Sequence, residues 1–125
     1  MPYIKPERRT ELAENPVARN AGELNYLLTK SCLAEVDRLG LCYDTINIVI
    51  SDISLVQYSV FPGFVHPLRT LSATPFRTLL YNHFKRSLLT YAEGVGAFEC
   101  CKFELYRRLA APYEDKKVQE NGDVY

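Results

Sequence analysis

Val95, Phe98, Cys101, Leu105 and Leu109 recur at three- and four-residue steps. That spacing lines side chains up on one face of an α-helix. Three residues after Leu109 comes Pro112. It lacks the amide hydrogen a helix needs, and its ring crowds the carbonyl four residues earlier. A chain that builds its strongest helix up to this point must therefore adjust there. The pattern predicts a helix over 95–110, a break or kink at Ala111–Pro112, and a shorter charged helix over 112–120. Asn121-Gly122 stops it. Pro112 suits the first position of the new helix, and Glu114 and Asp115 suit its positive end. Gly94 and Gly96 weaken the start of the long helix and leave room for a neighbour to approach.

Upstream, Asn20 is an N-cap residue with Glu23 three positions on, a variant of the capping box. Leu24, Leu27, Leu28, Cys32, Val36 and Leu39 form one face of a helix over 21–39, ended by Gly40. Thr74-Pro75 opens a second, over 75–91, with Phe76, Leu79, Leu80, Phe84, Leu88 and Tyr91 as its apolar face. Between them, the run 45–60 fits helical spacing at Ile46, Val49, Ile50, Ile53 and Val60. It is also rich in β-formers and reads equally as two strands around Ser51-Asp52. Residues 1–19, with Pro2, Pro6 and Pro16, read as an extended N-terminal arm with one helical turn at Glu7–Ala13. The fold class expected is mainly α. One domain spans 1–125 as a small helical bundle, with a β-hairpin or an extra helix in the middle.

A chain of 125 residues with 47% apolar and 24% charged side chains has the balance of an ordered globular domain. No signal-peptide pattern and no apolar run of membrane-spanning length are present, so a cytoplasmic protein without a membrane partner is expected. The net charge is +0, yet it is unevenly spread. Residues 53–92 hold Arg69, Arg77, Lys85 and Arg86 and no acid at all. This basic segment packs against the acidic ends of the chain or faces a partner, nucleic acid among them.

Cys32, Cys42, Cys100, Cys101, His66 and His83 lack the paired spacing of a structural zinc site. Cys100 and Cys101, adjacent on a helix, point about 100° apart. No metal and no cofactor are expected, and reduced thiols are. No phosphate-cradling glycine loop and no nucleophile signature mark a catalytic site, so no catalytic residue is assigned. The suggestive set is cationic and aromatic. Arg107, Arg108, Tyr113, Lys116 and Lys117 are candidates for binding a phosphate or nucleotide, through arginine forks, lysine charge and tyrosine stacking. Tyr26 and Lys30, one turn apart on the first helix, are candidates beside them. The alternative for the whole set is a solvated face with salt bridges to Glu104, Glu114 and Asp115.

The opening MPYIKPERR, the block AGELNYLLTK and the ending ECCKFELYRRLAAPYEDKKVQENGDVY resemble a family of small proteins carried largely by phages and prophages. The resemblance covers about 1–47 and 92–125, and the stretch 48–91 departs from it as an insertion onto a helical frame. It implies a phage-type accessory protein, one that counters host defence, acting in the host cytoplasm. It carries over no catalytic residues.

The expected function is non-enzymatic binding, by blocking a host protein or sequestering a small anionic, nucleotide-like signal. The alternative is a nucleic-acid-binding regulator that uses Arg69, Arg77, Lys85 and Arg86. A small enzyme is a third reading. Nine tyrosines, an arm and a charged tail over 112–125 favour a homo-oligomer.

Overall fold

The computed structural model describes residues 4–60 and 74–125. They form α1 (Pro6–Glu14), α2 (Ala21–Leu39), α3 (Tyr43–Ser59), α4 (Pro75–Arg86), α5 (Tyr91–Leu105), a π-helical turn (Tyr106–Ala110) and α6 (Ala111–Asn121). No strand occurs among the described residues.

The central helix is α2, which packs on α3, α4 and, most extensively, α5. Its start follows the sequence reading: the Asn20 side chain accepts from the Glu23 amide at 2.9 Å. Its end does too, because Gly40 sits at φ 92, a conformation that glycine adopts without a side-chain clash. Leu24, Leu28 and Cys32 are fully buried. Leu39, by contrast, lies outside the core and is exposed.

The stretch that reads equally as helix or hairpin is the helix α3. Ile46, Val49, Ile53, Val56 and Val60 are buried while Ile48 and Tyr58 are exposed. A strand pairing would put Ile46 and Ile48 on one face. The polar residues on the inner face have partners in neighbouring helices, which removes the cost of burying them. Asp52 accepts from Arg77 of α4 at 2.6 Å. Gln57 donates to the Val95 carbonyl at 3.1 Å and to Glu99 at 2.9 Å.

Two boundaries differ from the sequence reading. The N-terminal segment is not an extended arm throughout: Pro6–Glu14 is helical and docks on the bundle, with Leu12 fully buried. Arg8 explains the docking. Its guanidinium grips Glu23 with two bonds of 3.0 and 2.9 Å and also donates to the Val17 carbonyl at 3.2 Å. Glu23 in turn accepts from the Arg19 amide at 3.0 Å. The predicted helix over 75–91 is also two pieces. α4 stops at Arg86, where the Ser87 hydroxyl donates to the Phe84 carbonyl at 2.6 Å. A new helix then starts from a full capping box between Thr90 and Glu93. Leu88 and Tyr91, assigned to the apolar face of one helix, are consequently exposed, as is Leu79.

Gly94 of α5 faces Phe84 of α4. A Cβ there would lie 2.1 Å from Cε2 of Phe84. The Phe84 ring fills that space and stands 6.2 Å from the Phe98 ring.

Arg8 holds the Glu23 carboxyl down to a pKa of about 2, from an ordinary 4.5. The pair therefore stabilises the fold above pH 4.5 and loses its contribution as pH falls towards 2. Glu23→Gln is expected to lower the melting temperature at pH 7 and to flatten the acid limb of a melting-temperature profile over that window. Arg8→Ala, which leaves Glu23 buried and short of its partner, is expected to cost about 1–3 kcal/mol in urea unfolding.

Candidate functional site

The residues singled out for anion binding fall into separate pairs. On the C-terminal side, Arg107 and Arg108 both donate to Oε2 of Glu104, at 2.9 and 3.0 Å. Burial opposes the charge on Glu104, but the two arginines outweigh it and lower its carboxyl pKa. Further along, Lys117 stands 5.5 Å from the Tyr113 ring centroid and donates to Glu120 at 3.2 Å. Glu120 raises the Lys117 pKa. Lys116 is exposed on the same helix. On α2, Lys30 lies 5.6 Å over the Tyr26 ring and donates to its hydroxyl at 3.3 Å.

Pro112 is accommodated without a break. The backbone stays helical through Leu105, Ala110 and Ala111. The Ala111 amide bonds back to the Tyr106 carbonyl, five residues away. This wider π register takes up the missing amide and the ring of proline, where a regular α turn would clash. The predicted kink is thus a single π turn inside one run from Tyr91 to Asn121. The two sides of the turn are held differently: α5 buries Gly94, Ala97, Phe98, Cys101 and Leu105, and α6 buries nothing. The substantial contacts of α6 are with the π turn itself.

The basic middle divides likewise. Arg77 has a partner inside the chain: its Nε bonds Asp52, which is buried, so this cation ties α4 to α3. Lys85 and Arg86 are exposed at the end of α4. Arg69 lies outside the described residues. His83, near the end of the same helix, is buried and shares a 3.2 Å hydrogen bond with Ser31. Burial, followed by the charge of Arg86, lowers its pKa.

The cysteines sort by burial. Cys32 and Cys101 meet between α2 and α5 with sulfurs 3.9 Å apart, and Cys42 and Cys100 are exposed. All four are free thiols. The Cys101 neighbour and burial raise the Cys32 pKa. Cys42 caps α3, accepting from the Thr45 amide at 3.5 Å. The Thr45 hydroxyl lowers its pKa. No group of three or more potential metal ligands occurs among the described residues, and none of their helices is long and apolar enough to cross a membrane.

Three variants check these assignments. Arg77→Gln strands a buried carboxylate and is expected to destabilise by about 1–3 kcal/mol in urea unfolding. Lys85→Gln with Arg86→Gln is expected to stay within about 0.5 kcal/mol. Pro112→Ala restores an amide and lets the regular register close. It is expected to keep or raise the helical circular dichroism signal and the melting temperature. A clear loss of helical signal would count against the π turn as proline's accommodation.

A family model described as a domain of unknown function, DUF6899, matches residues 1–67 and 70–124. The match runs through most of the 48–91 stretch, wider than the resemblance at 1–47 and 92–125. No curated protein and no solved structure matches the chain. Matched over all but a few of its residues, the protein belongs to the DUF6899 family.

Proposed function

We propose that this chain is a non-enzymatic, phage-type accessory binding protein that blocks a host protein by docking it through α6. The observation that carries this is the lack of any buried residue on an eleven-residue helix. As the continuation of α5, α6 needs no nucleus of its own, but tertiary packing is what ordinarily holds a helix in a folded chain, and none of its residues is buried. A helix of this length with a proline start, a glycine stop and no side chain buried in its own chain is suited to packing on something else.

Its chemistry fits a protein surface better than a small anion. Arg107 and Arg108 already satisfy Glu104, so an anion would have to displace bonds of 2.9 and 3.0 Å. Exposed charges of both signs (Glu114, Asp115, Lys116, Lys117 and Glu120) surround the part-exposed Val118. That mixture resembles the polar rim of a protein interface around a small apolar contact. The nucleic-acid reading is weakened because Arg77 is committed to Asp52.

The test compares wild type with Lys116→Glu/Lys117→Glu/Val118→Asp, using bacterial host extract and identification by mass spectrometry. Loss of one defined protein by the variant, at unchanged circular dichroism and melting temperature, supports docking through α6. An identical set of bound proteins contradicts it. Retention of a nucleotide or nucleic acid by wild type, in place of a protein, also contradicts it. Nucleic-acid binding would further fall steeply with salt.

A further inference from the structure

We infer that two copies of this chain pair antiparallel through the outward face of α5, a surface separate from α6.

The inward face of α5 is accounted for by the bundle core. The outward face carries Ala92, Gly96, Glu99, Phe103 and Tyr106, at steps of four, three, four and three. That spacing lines the five residues up along one side of the helix. Phe103 is 66% and Tyr106 57% exposed. A helix with one buried face ordinarily turns charged and polar residues outward, and two large exposed rings one turn apart depart from that pattern.

The two glycines make the contrast sharp. Gly94 is explained inside the chain, because the Phe84 ring occupies the space of its missing side chain. Gly96 has nothing within 4 Å of the corresponding position. A mid-helix glycine weakens a helix relative to alanine, and no neighbour among the described residues uses this notch.

The face is self-complementary in size and in charge, which identifies the occupant as a second copy. Its first half is small (Ala92, Gly96) and its second half large (Phe103, Tyr106). Antiparallel pairing about a two-fold axis near Glu99–Cys100 sets the notch of each copy against the aromatic side chains of the other. It also sets Glu93, in the first turn, near Arg107 of the second copy; Arg107 holds Glu104 through Nη2 and Glu93 caps its own helix through Oε1, so this contact is a charge attraction across the seam and displaces neither bond. A parallel arrangement would set small against small and like charge against like. Glu99, close to the axis, is already paired within its own chain: Lys102 balances its charge at 2.9 Å and the Gln57 amide donates to it at 2.9 Å. The seam from Ala92 to Tyr106 is short, about 22 Å at 1.5 Å per residue, and suits a weak dimer.

Sedimentation equilibrium of the full chain, from about 1 to 200 µM, tests this at the range expected of a small interface. A monomer–dimer equilibrium is expected. Phe103→Glu should weaken it at least about tenfold, as for a buried aromatic anchor. Gly96→Leu should raise the melting temperature while also weakening the dimer, since it adds a helix former and fills the notch. If Phe103→Glu fails to fold, Arg107→Glu at the exposed end should weaken the dimer in its place. A short bismaleimide should cross-link the dimer through Cys100 near the axis, with the product lost in Cys100→Ser and kept in Cys42→Ser. A monomer at every concentration overturns the proposal. So does a dimer indifferent to both Gly96→Leu and Phe103→Glu, or one cross-linked through Cys42 instead of Cys100.

Discussion

The packing of α2 on α5 is the contact on which the remaining helices depend. At its centre Cys32 and Cys101, both fully buried, bring their sulfurs to 3.9 Å. Two small side chains facing each other let two helices approach closely, and Leu24, Leu28, Phe98 and Leu105 complete the same core. The other helices are fastened to this pair by buried polar groups as well as by apolar surface. Arg8 ties α1 to Glu23 of α2, Arg77 ties α4 to Asp52 of α3, and Gln57 ties α3 to α5. Such pairs give modest net stability but make mispaired arrangements costly, because a lost partner strands a buried charge.

That architecture explains which features were legible in the sequence. α2 was, because leucine period, asparagine cap and terminal glycine all agree. α3 was ambiguous, because Ile, Val and Tyr serve a strand and a helix equally well. Its inward Asp52 and Gln57 are satisfied only by helices remote in sequence. The division between α4 and α5 was signalled by Thr90 and Glu93, a capping box that the apolar period running on through Leu88 and Tyr91 concealed. The role of Arg8 had no local signal, since its partner is fifteen residues away. Arg77 was assigned to a partner because no acid lies near it in sequence after Asp52. In space Asp52 is its neighbour.

The candidate site was legible only in part. On the C-terminal segment Arg107, Arg108, Tyr113, Lys116 and Lys117 read in the sequence as one anion-binding set, whereas the structure groups them as Arg107 and Arg108 with Glu104 and as Lys117 with Tyr113 and Glu120. Pro112 marked the right place for a change. Its consequence, a π turn that keeps the helix continuous, depends on backbone geometry that residue identity alone does not specify. Both functional proposals come from the same long helical run and from one physical asymmetry. Its first half is buried on the inner side and carries exposed Phe103 and Tyr106 on the outer, whereas no residue of α6 is buried.

Native-state hydrogen exchange along the run from Tyr91 to Asn121 tests that asymmetry most directly. At low protein concentration, amides of α5 up to Leu105 should open only with the α2–α5 core and exchange near the global limit. Protection should fall sharply across the π turn, leaving α6 amides exchanging close to the unfolded rate. Equal protection of α5 and α6 in the dilute, isolated chain would mean that α6 is supported from within. The account of it as a helix waiting for an outside surface would then fail.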